Sequence, residues 1–254
     1  FIGNANDRIE EDYLRILRFF RFYAWYGRGT PDAEALKACM NGLTFIKVLS
    51  GDRIRKEMLK MLSAPDPSQA VDTMAKIDVL KTLIPEATYS NSIKNMLPLE
   101  TSLKIEPLRR LAALIMNSHK ESYENNLLTH WKLSNRQQKR LDLLLSRPSD
   151  VGPLLPGKLL RKLIYIHGKE TVVDWFILSY GMKPKNYQEY HKIILYIKDW
   201  DTPSFPLTGD DLLNIGLKQG PQIGNLLKTL ENWWVQHDFS PTRLECLKEL
   251  QVHL

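Results

Sequence analysis

The chain has 254 residues, 43% of them hydrophobic and 25% charged, which is the make-up of a globular protein with a sizeable core. No apolar run approaches the roughly 18 residues of a membrane span, and the N-terminus lacks a signal-peptide layout. Only two cysteines occur, Cys39 and Cys246, with no CxxC pattern or His partner at ligand spacing, which argues against a disulfide framework or a zinc site and for a reducing, intracellular compartment.

The first periodic stretch runs from Arg8 to Phe22. At about 3.6 residues per turn, Arg8, Glu11, Asp12, Arg15 and Arg18 share an arc of roughly 120°. Leu14, Leu17, Phe20 and Ala24 cover the rest. Beyond Arg18 the arc turns apolar, with Phe19, Phe22 and Tyr23. A solvated face would run the length of the helix, so a polar stripe that stops reads as a pocket wall holding an Asp–Arg pair. Asp12 and Arg15, three apart, point the same way on a helix. A carboxylate beside a guanidinium places an acceptor next to a forked donor. That pattern complements the Watson–Crick edge of cytosine or adenine: the carboxylate accepts from the exocyclic amine and the guanidinium donates to the ring nitrogen. Uracil and guanine present a carbonyl where the amine should be. The plain alternative is an intrahelical ion pair worth tenths of a kcal/mol.

Further helices are expected over Asp32 to Met40, after Ser50 as N-cap to Leu62, and from Ser68 to Leu83. In the second of these Arg53 and Glu57 are spaced to pair. Leu103 to Ser118 reads as a buried helix carrying Arg109 and Arg110. Ser134 and Gln137 form a capping box opening a helix to Ser146, with Arg136, Lys139 and Arg140 on its outer side. The Pro/Gly-rich stretch from Ser149 to Gly157 is a linker or sharp turn. Leu159 to His167, Thr171 to Tyr180 and Tyr187 to Trp200 follow as helices, then two more flanking Gly216 to Gly220. Of Trp233 and Trp234, one is expected in the core and one on the surface. The fold class is all-α.

Eight basic residues lie between Lys132 and Lys162 against two acids, Asp142 and Asp150, so this window holds the whole net charge of +6. Such a footprint suits nucleic acid; the plain reading is a solvated helix with unpaired lysines. Gly220 before Pro221 opens a helix whose amides suit a phosphate, while Gly216 also reads as a helix C-cap. His237-Asp238 lacks the spaced ligands of an HD phosphohydrolase. Asp199-Trp200-Asp201 reads as a helix end.

Arg8-Ile9-x-Glu11-Asp12-x-x-Arg15-x-x-Arg18-x-x-Arg21-Phe22 resembles the signature of class II tRNA nucleotidyltransferases, the CCA-adding enzymes, whose superfamily includes bacterial poly(A) polymerases. Ser50-Gly51-Asp52-Arg53-Ile54 with Glu57 matches the next motif, with Asp52 where glutamate is more usual. Leu207-Thr208-Gly209-Asp210-Asp211-Leu212 and Gly216-x-x-x-Gly220-Pro221-x-Ile223-Gly224-x-Leu226-Leu227 complete the match. The longer runs are most similar to the alphaproteobacterial and mitochondrial branch.

The resemblance implies a neck with the base-templating helix (residues 1–66), a helical body (67–150) and an RNA-binding tail (151–254). Asp12 and Arg15 would read incoming CTP or ATP, with Arg8, Glu11 and Arg18 supporting the template or the nucleotide. Arg53 and Glu57 would brace the templating helix. Arg136, Lys139, Arg140, Lys158, Arg161, Lys162 and Gly220 are the expected tRNA contacts. The family's catalytic head, with a Gly-Ser segment and an Asp-x-Asp pair binding two Mg²⁺ ions, should precede the template. Almost nothing does, so the chain is read as an excised or processed piece that holds no catalytic or metal-binding residue and is inactive alone. The compartment implied is a bacterial cytoplasm or mitochondrial matrix. The runner-up is a poly(A) polymerase, disfavoured by the lack of an Arg/Lys-rich C-terminal extension. A third reading is a stand-alone RNA-binding module serving a separate head.

Overall fold

The computed structural model describes residues 2–87, 91–101, 103–116, 123, 127 and 130–252, and the regular structure among them is helical throughout, in keeping with the all-α expectation. The chain divides into two compact units, Phe1–Pro153 with Asp174–His191, and Leu154–Val173 with Lys192–Leu254.

In the first unit, α1 (Ala5–Glu11) is capped by the Asn4 side chain, which accepts from the amides of Asn6 and Asp7. The expected continuous helix from Arg8 is instead two. Asp12 is extended (φ −160°, ψ 106°), and α2 starts at Leu14 and runs to Tyr26. The cause is local: Asp12 Oδ1 accepts from the Leu14 amide at 3.1 Å, capping the second helix and ending the first. Tyr13, at the break, stacks on Phe45 with ring centroids 4.4 Å apart. As expected from the periodicity, α2 buries Leu14, Leu17 and Phe20, together with Ile16.

Next come α3 (Ala33–Asn41), α4 (Leu43–Ile46) and α5 (Gly51–Leu62). Gly51 is fixed by a close approach, because a Cβ there would lie 1.6 Å from the His130 carbonyl oxygen. Ser50 is the N-cap residue of α5, but its side chain makes no capping bond. The helix expected from Ser68 to Leu83 is broken into α6 (Ser68–Lys76) and α7 (Val79–Leu83), because Asp78 turns left-handed at φ 58°. Then follow α8 (Ser92–Glu100), α9 (Pro107–Ile115) and α10 (Asn135–Leu145); the last opens on the expected Ser134–Gln137 capping box. Of the stretch expected as helix from Leu103 to Ser118, residues 117 and 118 lie outside the described residues.

A buried ionic lattice ties these elements together. Arg109 donates to Glu100 Oε1 (2.8 Å) and Asp174 Oδ1 (2.5 Å), and Arg110 to Glu100 Oε2 (2.9 Å). Arg110, 1% exposed, also donates to the carbonyls of Leu62 (2.7 Å) and Ala64 (2.5 Å), taking up orphan acceptors at the end of α5. Burying two guanidiniums is tolerable only because nearly every donor is taken.

The division between the units falls within α12 (Lys169–Met182) and α13 (Tyr187–Asp199). The second unit adds α11 (Gly157–His167), α14 (Gly209–Asn214), α15 (Pro221–Gln236) and α16 (Arg243–Val252). Leu207, Leu212, Leu230, Trp234, Val235, Cys246 and Leu250 form one of its cores, with Trp233 only partly buried against it. The chain therefore has one more C-terminal helix than the two expected around Gly216 to Gly220.

Truncating Arg110 to alanine should cost at least about 3 kcal/mol, since it leaves one oxygen of the buried Glu100 carboxylate and two carbonyls without their donor. Urea unfolding of the variant tests this; a loss below about 1 kcal/mol would mean the lattice is not holding α5 to α9.

Candidate nucleotide-binding site

Arg8, Arg15, Arg18, Phe19 and Phe22, with Ile2, line an open groove of about 670 Å³ along α1 and α2. Three of the five expected nucleotide-binding side chains thus meet on one wall, and Phe19 and Phe22 add apolar surface that a base can pack on. Glu11 joins two of them: its Oε1 is 2.8 Å from Arg8 Nη1 and its Oε2 is 2.7 Å from Arg15 Nη2. Arg18 is exposed and makes no ion pair with a described residue.

Asp12 is placed differently from the expectation. It forms no pair with Arg15, because the helix break turns it toward α5, where Arg53 Nη2 lies 2.7 Å from Asp12 Oδ2. Each carboxylate oxygen keeps a further lone pair, and Arg15 keeps donors beyond the one that Glu11 engages.

The bracing pair is also rearranged. Arg53 and Glu57 do not pair with each other along α5; each reaches across instead. Arg53 holds Asp12, and the buried Glu57 accepts from Arg21 of α2, with Nη1 3.1 Å from Oε1. Helix spacing could not reveal this, since the partners lie 41 and 36 residues away. Helix α5 is itself fixed at its start by Arg55, which donates to the carbonyls of Trp131 (3.2 Å) and Lys132 and to Asp52.

The expected RNA contacts divide. Arg136 and Lys139 are exposed on α10, and Lys158 is exposed and Lys162 half-buried on α11. Arg140 is not a free cation. It grips Glu106 in a fork (2.8 and 2.7 Å) and also bonds Asp174. Burial pushes the Glu106 carboxyl up, but the hydrogen bond and charge of Arg140 outweigh it and hold the group below its ordinary value. Arg161 is likewise occupied, by both oxygens of Asp238, which removes any HD reading of His237-Asp238. Arg140 and Arg161, both expected as RNA contacts, thus each hold a carboxylate partner within the chain. The basic window also crosses the boundary between the two units.

Gly216, at φ 95°, ends α14: its amide bonds Leu213 (3.0 Å) and that of Leu217 bonds Leu212 (3.2 Å), a Schellman closure. Gly220 is exposed and directly precedes α15. Asp199 closes α13, as expected.

Comparison with known proteins follows the same line. A family model described as "Probable RNA and SrmB- binding site of polymerase A" matches residues 31–90. The mitochondrial CCA tRNA nucleotidyltransferase 1 of Danio rerio is 27% identical over 98% of the chain and 58% of its own length. The CCA-adding enzyme of Lactococcus lactis is 25% identical over 100% of the chain and 62% of its own length. Among solved structures, the Bacillus stearothermophilus CCA-adding enzyme in complex with CTP superposes with a TM-score of 0.70 at 18% identity, covering 100% of this chain and 64% of that one. The Thermotoga maritima CCA-adding enzyme complexed with tRNA gives 0.65 at 19%, covering 96% and 62%. The chain is thus similar in sequence to CCA tRNA nucleotidyltransferases over nearly its whole length and shares its fold with solved CCA-adding enzymes. It spans between 58% and 64% of the length of these four relatives.

The two braces should differ in worth. Arg53–Asp12 is 47% and 31% exposed, Arg21–Glu57 only 17% and 10%. Arg53→Ala should cost under about 1 kcal/mol and Glu57→Ala about 2–3 kcal/mol. Thermal unfolding of the two variants checks the order; equal losses would contradict it.

Proposed function

We propose that this chain is the nucleotide-selecting and tRNA-binding part of a CCA-adding tRNA nucleotidyltransferase, which adds C, C and A to tRNA 3′ ends from CTP and ATP. The observation that carries the reading is the groove at the α1–α2 break, where Arg15 lines the wall and Asp12 sits at the break, held in place by Arg53. On this reading Asp12 accepts from the exocyclic amine of cytosine or adenine. Arg15 donates to the adjacent ring nitrogen. The same two groups meet a carbonyl and an N–H on uracil or guanine, which leaves two mismatched contacts and disfavours both bases. Arg8 and Arg18 supply positive charge beside the bound nucleotide, and Phe19 and Phe22 supply an apolar wall.

Phosphoryl chemistry is the task of a head carrying the Asp-x-Asp pair and two Mg²⁺ ions, supplied by the same or a separate chain. Among the described residues no group of three or more His, Cys, Asp or Glu side chains is placed to hold a metal, so these residues do not fit that role and no chemical step is assigned to them. The names of the relatives support the substrates: one solved neighbour is a complex with CTP, another with ATP and a third with tRNA. Arg136, Lys139, Lys158 and Lys162 remain as phosphate contacts, with Gly220 at the start of α15. The proposed site of action is a bacterial cytoplasm or mitochondrial matrix.

Assayed with the head on a tRNA lacking its CCA end, Asp12→Ala and Arg15→Ala should each lower the preference for CTP over UTP by about tenfold or more. Unchanged preference in both would sink the template reading. tRNA should bind this chain at low salt and weaken steeply as salt rises, and Arg136→Ala with Lys139→Ala should flatten that slope by about one to two. Salt-independent binding would contradict the phosphate grip.

A further inference from the structure

Helix α2 runs on past the groove. Beyond Phe22, which lines it, the helix carries Trp25 and Tyr26 on the same face, at the three- and four-residue spacing that makes neighbours on a helix. All three rings are exposed, Tyr26 by 74%. They follow one another at centroid distances of 6.2 Å (Phe22–Tyr26) and 6.4 Å (Trp25–Tyr26). The Trp25 indole is pinned by its N–H, which donates to the Lys60 carbonyl at 2.9 Å. Just past the helix, the Tyr23 hydroxyl donates to the Gly29 carbonyl at 2.7 Å and so holds the turn that carries Arg28. From Tyr13 to Pro31 the chain has no acidic residue but has Arg15, Arg18, Arg21 and Arg28. Arg18 and Arg28 are exposed and have no carboxylate partner among the described residues.

A contiguous set of exposed rings marks a surface that a partner covers, and the charge around it selects the partner. Arginines without carboxylates, set beside aromatic faces, suit a polyanion that carries flat bases, which is single-stranded nucleic acid. The groove adds a direction. The 3′ hydroxyl of a primer must come within bonding reach of the incoming nucleotide, so the last bases of that primer lie on the surface next to Phe22. We propose that Trp25 and Tyr26, continuing the apolar wall from Phe22, form a stacking platform for the unpaired 3′-terminal bases of the RNA primer and lead them to the groove. Arg28 supplies positive charge beside the phosphates. The inference rests on the nucleotide-binding reading of the groove and goes further, because it gives the primer strand its own side chains. Every base has a π-face, so stacking accepts any base. That property suits a primer end whose last base changes as nucleotides are added.

The experiment is equilibrium binding of this chain, at low salt, to two RNAs: a tRNA ending in two unpaired C residues, and the same tRNA trimmed back to its last base pair. The wild-type chain should bind the first about tenfold or more tightly than the second. Trp25→Ala with Tyr26→Ala should abolish that difference and leave the trimmed tRNA bound as before. Trp25→Phe with Tyr26→Phe, which keeps flat rings, should restore most of it. Tyr26→Ala alone removes only the most exposed ring and should lose part of the difference, which keeps the test open if the double variant unfolds. If the alanine variants keep the full difference, the platform does not exist. If the wild type binds both RNAs equally, the platform fails while the tRNA grip stands; if it binds neither, the grip fails and the platform with it. Variants that bind RNA as the wild type does, yet slow incorporation on every primer alike once the head is added, would assign this face to the head and overturn the proposal.

Discussion

Helix α5 is held at both ends, and the groove depends on that. At its start, Gly51 lies under the His130 carbonyl and Arg55 ties down Trp131 and Lys132. At its end, Arg110 takes the carbonyls of Leu62 and Ala64. Between these anchors α5 presents Arg53 and Glu57 to two points on the adjacent chain, Asp12 and Arg21. A helix fixed in this way can fix another. The groove residues Arg15, Arg18 and Phe19 fall on the stretch of α2 between those two points.

The break at Asp12 gives that rigidity a use. Had Arg8 to Phe22 formed one helix, Asp12 and Arg15 would share a face and could neutralise one another in an exposed pair of little worth. Breaking the helix sends Asp12 to Arg53 and leaves Arg15 to Glu11. Each of the two groups proposed to read the base is then paired with a partner across the break or from α5 and keeps bonding capacity. The cost of an extended residue between two helices is offset locally by the Asx bond from Leu14 and by Tyr13 stacking on Phe45.

Much of this was legible in the sequence wherever the cause was local. The apolar spacing of Leu14, Leu17 and Phe20 predicted the buried face of α2, and Ser134 with Gln137 predicted the start of α10. The three groove arginines follow from the same stripe. What escaped was set by distant partners or by one residue's backbone. A periodic pattern runs straight through Asp12 and through Asp78, so neither break was visible. Arg140 looks like a surface cation because Glu106 and Asp174, 34 residues away on either side, are invisible to local spacing. Helix α16 did carry a usable sign: Thr242 and Glu245 exchange the bonds of a capping box.

On the proposed reading a protein surface, with no nucleic-acid template, chooses cytosine and adenine over uracil and guanine. The most direct measurement offers all four nucleoside triphosphates, singly, to the wild-type protein with its head, on a tRNA lacking its CCA end. The account predicts incorporation of C and A with UTP and GTP at least about tenfold poorer. Comparable use of all four would contradict it.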